Sequence, residues 1–86
     1  MHTVDLLEEA LRVAEKAGYR VREEWLGGMG GGGCEIRGRK WLFLNLGLGP
    51  AEQLDQVLDT LRGDTAVLSF PMPDQLRGLL RVRKSA

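Results

Sequence analysis

The stretch whose residue types and spacing best suit binding chemistry is a seven-residue run, Gly27–Gly33, that holds six glycines. It formally contains the spacing G-x-G-x-x-G at Gly28, Gly30 and Gly33. In a dinucleotide site this motif follows a strand and opens a helix, whose N-terminus holds the pyrophosphate. Here the next residues, Cys34–Arg37, have a strand-like composition, and no Gly-Lys-Ser/Thr follows to complete a phosphate loop. We therefore attribute the match to glycine density, although a glycine loop also allows a ligand or another backbone to approach closely.

Groups suited to catalysis are few and poorly combined. Cys34 is the only thiol and His2 the only imidazole, and His2 lies at the terminus, where a nucleophile–base pair is hard to hold. One cysteine and one histidine cannot form a zinc site within one chain. The adjacent carboxylates Glu8-Glu9 and Glu23-Glu24 diverge on a helix or a strand. We expect a protein that is not an enzyme and that uses no cofactor and no metal.

Binding is the remaining class of function. Trp25 and Trp41 flank the glycine run, either as core anchors or, where partly exposed, as anchors of an interface. For Cys34, we expect the usual role of a free cysteine, which is that of a small buried apolar residue. The candidate residues for binding a ligand or a partner are Trp25, Gly28, Met29, Gly30, Gly33, Cys34, Arg37, Arg39 and Trp41.

Charge and composition limit the partners. The 12 basic and 12 acidic residues give a formal net charge of zero, which argues against nucleic acid as a partner. The basic residues Arg20, Arg22, Arg37, Arg39 and Lys40 could still gather on one sheet face, with aromatic residues as stacking platforms for RNA. A solvated strand face is the simpler interpretation.

Features that the sequence lacks indicate the cellular compartment. No apolar run approaches the roughly 18 residues of a membrane-spanning helix, and we find no signal-peptide pattern at the acidic, amphipathic N-terminus. A single cysteine cannot build an internal disulfide framework, which suits a reducing compartment. We expect a cytoplasmic protein that does not associate with membranes.

The elements that position these residues begin with a helix from Thr3 to Ala17, where apolar residues recur at three- and four-residue steps, and Gly18 ends it. Tyr19–Leu26 has period two: Tyr19, Val21, Glu23 and Trp25 on one side, Arg20, Arg22 and Glu24 on a solvated side. The glycine run should link this strand to a second one as a mobile hairpin loop.

A second hairpin is predicted downstream. Cys34 and Ile36 are expected to face the core, and Gly38–Arg39 to form a two-residue turn. The strand from Trp41 to Leu46 is nearly all apolar, which is typical of a central strand covered on both faces or buried in an interface.

The C-terminal half reads as helical. Pro50 opens a second helix that Gly63 ends, and a third runs from Pro73 or Asp74 to about Arg83. Ala66–Phe70 could be a fourth, short strand. The sequence therefore predicts one α+β domain over residues 1–86, with a three- to four-stranded antiparallel sheet covered by helices in two layers, in the order α-β-β-β-α-(β)-α.

The segment from Gly31 to Asn45, with its Gly-Gly-Gly-Cys, its hairpin and its aliphatic strand, resembles a group of small bacterial proteins of uncharacterised function. The later Pro71-Met72-Pro73 is similar too. The resemblance implies a bacterial cytosolic setting and supplies no activity.

A helix-covered sheet leaves its other face or an edge strand available for association. We expect a non-catalytic binding or assembly module that forms a homodimer, with another protein as the further partner. The alternative is a protein that binds a small ligand or a nucleotide phosphate through the Gly27–Gly33 loop and nearby arginines.

Overall fold

The computed structural model describes residues 2–28 and 30–82. Three α-helices, three strands and one 3-10 helix follow in the order α1 Thr3–Lys16, β1 Arg20–Glu24, β2 Gly32–Ile36, β3 Arg39–Asn45, α2 Pro50–Arg62, the 3-10 helix Thr65–Ser69 and α3 Asp74–Arg81. The α+β class and the order of the first five elements are confirmed. The predicted end of the third helix, Arg83, lies outside the described residues.

The sheet is mixed, with strand order β1-β3-β2. β2 and β3 form the expected antiparallel hairpin, but β1 pairs with β3 in parallel, so the prediction of a wholly antiparallel sheet is wrong. The physical reason lies in the glycine-containing link. It carries the chain past the end of β3 to the opposite edge, and β3 therefore separates β1 from β2.

The hairpin turn also differs from its predicted position. Its two central residues are Arg37 and Gly38, with φ values of +52° and +78°, and Ile36 pairs with Arg39. Positive φ at both central positions is the mark of a type I′ turn, whose twist matches that of the flanking strands.

The fourth strand is not present. Thr65–Ser69 is a 3-10 helix, and the carboxylate of Asp64 accepts a hydrogen bond of 3.1 Å from the amide of Ala66 at its start. Val67 is its one buried residue, so a single apolar anchor replaces the alternating burial that a strand would show.

All the helices lie on one side of the sheet. α1 and α2 pack on each other and on the strands, and α3 packs on both. Leu42 and Leu44 of β3 point into this core, and the other buried apolar residues are Leu6, Leu7, Ala10, Val13, Ala14, Leu54, Val57, Leu58, Leu61, Val67, Leu76 and Leu80. β3 is the central strand, as predicted, but helices cover only one of its faces. None of the helices in the described ranges is long and apolar enough to cross a bilayer.

The hairpin therefore places Cys34 and Ile36 outside the core, contrary to prediction. Cys34 pairs with Trp41 and Ile36 with Arg39, on the side of β3 opposite to Leu42 and Leu44. Both side chains are exposed.

Candidate binding surface

Within the described residues, one surface of the sheet carries no helix, and the core does not use it. Because side chains alternate along a strand, this surface is formed by every second residue of each strand. We call it the uncovered face; it comprises Arg20, Arg22 and Glu24 of β1, Cys34 and Ile36 of β2, and Arg39, Trp41 and Phe43 of β3.

Two aromatic rings occupy its centre. Trp41 and Phe43 are both half-buried, their ring centroids are 6.0 Å apart, and their planes differ by 14°. Arg20, which is the register partner of Trp41, places its guanidinium carbon 5.8 Å from the Trp41 ring centroid, within the range of a cation–π contact. The centre of the uncovered face is thus apolar, aromatic and bordered by a cation.

Exposed apolar residues lie at both ends of the sheet. Ile36 is 47% exposed beside the β2–β3 turn. At the other end of the sheet, directly after β1, Trp25 is 75% exposed and Leu26 is 38% exposed. Exposed large apolar groups that adjoin one another mark an interaction surface more often than isolated ones do.

Part of the glycine run packs against α2. A Cβ at Gly31 would lie 2.7 Å from Gln56 Oε1 and 3.0 Å from the carbonyl oxygen of Phe43, and a Cβ at Gly33 would overlap Thr60 Cγ2. Gln56 Nε2 also donates a 2.7 Å hydrogen bond to the carbonyl oxygen of Gly30. Gly31 and Gly33 therefore let this segment lie directly on α2; the sequence indicated that the loop allows a close approach but did not identify α2 as the partner.

Asn45 joins the glycine run to the segment that leads into α2. Its Oδ1 accepts hydrogen bonds from the amides of Leu26, at 3.2 Å, and Gly47, at 2.8 Å, while its Nδ2 donates one of 3.0 Å to the carbonyl oxygen of Gly27. The residue is completely buried. Its role was missed, although one polar residue in an otherwise apolar strand was the available signal.

The predicted binding residues divide into two groups. Trp41, Cys34 and Arg39 come together on the uncovered face, and Arg37 lies in the turn beside it. Trp25, Gly28 and Gly30 lie towards the other end of β3, Gly33 faces α2, and Met29 lies outside the described residues. β3 makes six residue steps, about 20 Å at 3.3 Å per residue. The structure therefore does not bring Arg37 and Arg39 to the glycine loop.

A cluster of charged and polar side chains lies on the helix-covered side of the sheet, near the β2–β3 turn. Lys40 Nζ lies 2.9 Å from Asp64 Oδ2, and Tyr19 Oη donates to the same oxygen at 3.3 Å. The hydrogen bond from Lys40 lowers the pKa of Asp64, and the same bond raises the pKa of Lys40. Burial and then the Asp64 carboxylate raise the pKa of Tyr19. These shifts hold the lysine charged and the tyrosine neutral, as in a structural ion pair.

The groove beside this cluster is small. It has a volume of about 230 Å³ and is lined by Tyr19, Gly33, Cys34, Glu35, Lys40, Thr60 and Gly63. Small-molecule sites usually have volumes of about 300–1,000 Å³, so the groove falls below that range.

Within residues 2–28 and 30–82, no group of three or more histidine, cysteine, aspartate or glutamate side chains is placed to hold a metal ion. The chain matches no protein-family model, no curated protein sequence and no solved structure.

Proposed function

We propose that this protein is a non-catalytic binding and assembly module that self-associates and uses the uncovered face as its binding surface. The observation that carries the proposal is the absence of any helix over one side of the sheet in the described part of the chain, where Trp41 and Phe43 are only half-buried. Because helices cover only one side of the sheet, the apolar residues on its other side can be buried by another molecule.

The two edges of the sheet differ in a way that supports self-association through β2. Edge strands expose unpaired backbone groups, and charged side chains protect them from pairing with another chain. Four of the five residues of β1 are charged, but only one residue of β2 is. The β2 edge is thus the less protected one, and antiparallel pairing with a second β2 would form a continuous six-stranded sheet.

The register of that pairing follows from symmetry and charge. A two-fold axis at Cys34 lets all five residues of β2 pair, whereas an axis at Glu35 would set two glutamates opposite each other, which is destabilising. Residues directly opposite in an antiparallel pair have Cα atoms about 4.5–5.5 Å apart. That range lies within the separation of about 4.4–6.8 Å that a disulfide requires.

Oxidation of Cys34 with diamide tests this interface. We expect the wild-type chain to form a disulfide-linked dimer on non-reducing gels, while Cys34→Ser stays uncrosslinked but keeps its dimer mass in light scattering. The matched control is Cys34→Ser/Glu52→Cys, which moves the thiol to an exposed position on α2. Equal crosslinking of this control and the wild type would show random collision and would contradict the β2 interface.

A small-ligand or nucleotide function of the Gly27–Gly33 loop has less support. The hairpin arginines, which would have to contact a phosphate there, lie at the far end of β3 from Gly27 and Gly30. Cytoplasmic residence is part of our proposal, since an exposed free thiol at Cys34 suits a reducing compartment. The bacterial setting implied by the resemblance stays a prediction.

A further inference from the structure

The zero net charge of the chain conceals an uneven distribution. Eight of the twelve acidic residues lie in α1, α2 and α3. The uncovered face, in contrast, carries Arg20, Arg22 and Arg39 against the single carboxylate of Glu24. Arg22 Nε lies 2.5 Å from Glu24 Oε1, so these two charges offset each other, and Arg20 and Arg39 give the face its excess of positive charge. The uncovered face is a cationic surface on a neutral molecule, and such a surface favours an anionic partner.

The aromatic pair at the centre of the uncovered face narrows the class of anion. Trp41 and Phe43 present nearly parallel rings 6.0 Å apart. Nucleobases stack on such rings regardless of sequence, while arginines beside them meet the phosphates. An acidic peptide could pair with the arginines but would not make comparable use of two parallel rings.

We infer that the uncovered face binds single-stranded nucleic acid, with bases stacked on Trp41 and Phe43 and with phosphates contacted by Arg20, Arg22 and Arg39. The inference rests on the proposed binding function of this face and names its ligand. A base that stacks on Trp41 takes the place of the Arg20 guanidinium, now 5.8 Å from the ring centroid, and that guanidinium moves to a phosphate. A duplex is excluded because its bases are already stacked and paired.

Arg37 lies in the β2–β3 turn, next to Arg39. It is the only described non-glycine residue with a positive φ, +52°. An arginine at the turn adds a further cation at the Ile36 end of the uncovered face.

Fluorescence anisotropy of a labelled oligouridylate, titrated with the full chain, tests the inference. We expect saturable binding that weakens with salt between about 50 and 200 mM, with a slope of about −2 in a plot of log affinity against log salt, because three phosphate contacts each contribute about −0.7. The matched RNA duplex should bind at least tenfold more weakly.

Variants separate stacking from charge. Loss of one stacked base in Trp41→Ala should weaken binding by about 5- to 150-fold, and Trp41→Phe, which keeps an aromatic ring, should restore most of the affinity. Arg22→Gln/Arg39→Gln should lower the salt slope by about 1.4. The matched control Arg12→Gln/Arg81→Gln makes the same charge change on α1 and α3, again removing one ion-paired and one exposed arginine, and should leave binding unchanged.

Three outcomes would overturn the inference: no change in anisotropy, an equal loss in the helix control, or competition by polyglutamate as effective as that by unlabelled oligouridylate. The last would show that the face binds any acidic polymer. A chain that forms the Cys34-linked dimer yet binds no oligonucleotide would remove the inference and leave the proposed assembly function intact. A monomer that binds oligouridylate with the predicted variant effects would support the inference and remove self-association instead.

Discussion

Asn45 is the one buried polar side chain in the described part of the chain, and it shows how single residues shape the binding surface. Its side-chain amide accepts hydrogen bonds from the backbone N–H groups of Leu26 and Gly47 and donates one to the carbonyl oxygen of Gly27. A buried polar group is stabilising only while its partners remain paired, so each of these bonds depends on the others. Trp25 and Leu26 adjoin the segment that Asn45 holds, and their position therefore depends on it.

Replacing Asn45 with alanine should lower the free energy of unfolding by about 2–3 kcal/mol, because three backbone groups lose their partner at a buried site. Gln53→Ala is the control: Gln53 Nε2 donates a single 3.0 Å hydrogen bond to the carbonyl oxygen of Asn45, and its loss should cost about 1 kcal/mol. Urea denaturation measures both. Equal losses in the two variants would contradict the role assigned to the Asn45 side chain.

Asp64 gives a prediction about pH. Its pKa is lowered in the folded chain, mainly by the hydrogen bond from Lys40, so its ionised form stabilises the fold above its ordinary pKa of 3.8. This contribution is lost as the pH falls through the lowered folded value. The stability difference between the wild type and Asp64→Asn should therefore narrow steadily below about pH 4 in pH-dependent urea denaturation.

NMR titration of the Asp64 carboxyl carbon provides the control. Its midpoint should lie below 3.8 in the wild type and should rise in Lys40→Met, which removes the hydrogen-bond donor. An unchanged midpoint in this variant would show that Lys40 is not the cause of the lowered pKa.

At the scale of elements, the sequence predicts what depends on local pattern. Helical periodicity and terminal glycine or proline residues located α1 and α2, and the hairpin was located to within one residue of its turn. The pattern could not show which face of β3 the helices cover, because Trp41, Leu42, Phe43 and Leu44 are apolar on both sides. Nor could it show the parallel pairing of β1, which depends on the path of a long link.

Gly33 explains which face is covered. The strand can lie on α2 only where it has no side chain, since a Cβ there would overlap Thr60 Cγ2. Which face is covered also decides which residues belong to the candidate site. Trp41, Cys34 and Arg39 were predicted as binding residues, and the structure brings them together on the uncovered face. Phe43, Arg20 and Arg22 were not among the predicted binding residues, because membership of the site depends on which face stays uncovered.

Gly33→Ala should therefore destabilise the chain by about 1–3 kcal/mol through overpacking against α2. Thr60→Ala removes the overlapping methyl group, and the double variant should recover at least 1 kcal/mol relative to the sum of the single losses. Gly28→Ala is the matched control, because a Cβ there meets nothing within 4 Å and its φ is not positive. Additive losses in the double-mutant cycle would contradict direct contact between Gly33 and Thr60.

At the scale of the whole molecule, a neutral chain of 86 residues separates its surface into an acidic helical side and a cationic, aromatic sheet side. The amino-acid composition gives only the net charge, whereas the fold shows where the charged side chains lie. A core of this size makes a single chain marginally stable, so burial of the β2 edge and of adjoining apolar surface in a dimer would add stability.

The solution mass over a concentration series, measured by light scattering after size exclusion, tests the proposed assembly most directly. We expect the mass to rise from the 9.5 kDa of one chain towards twice that value as concentration increases, and to stop there, because a two-fold β2 interface is closed. Charge placed on this edge, as in Cys34→Lys, which sets two lysines opposite each other at the two-fold axis, should shift the transition to higher concentration. A mass of 9.5 kDa at every concentration would contradict self-association, and growth beyond the dimer would contradict the two-fold interface.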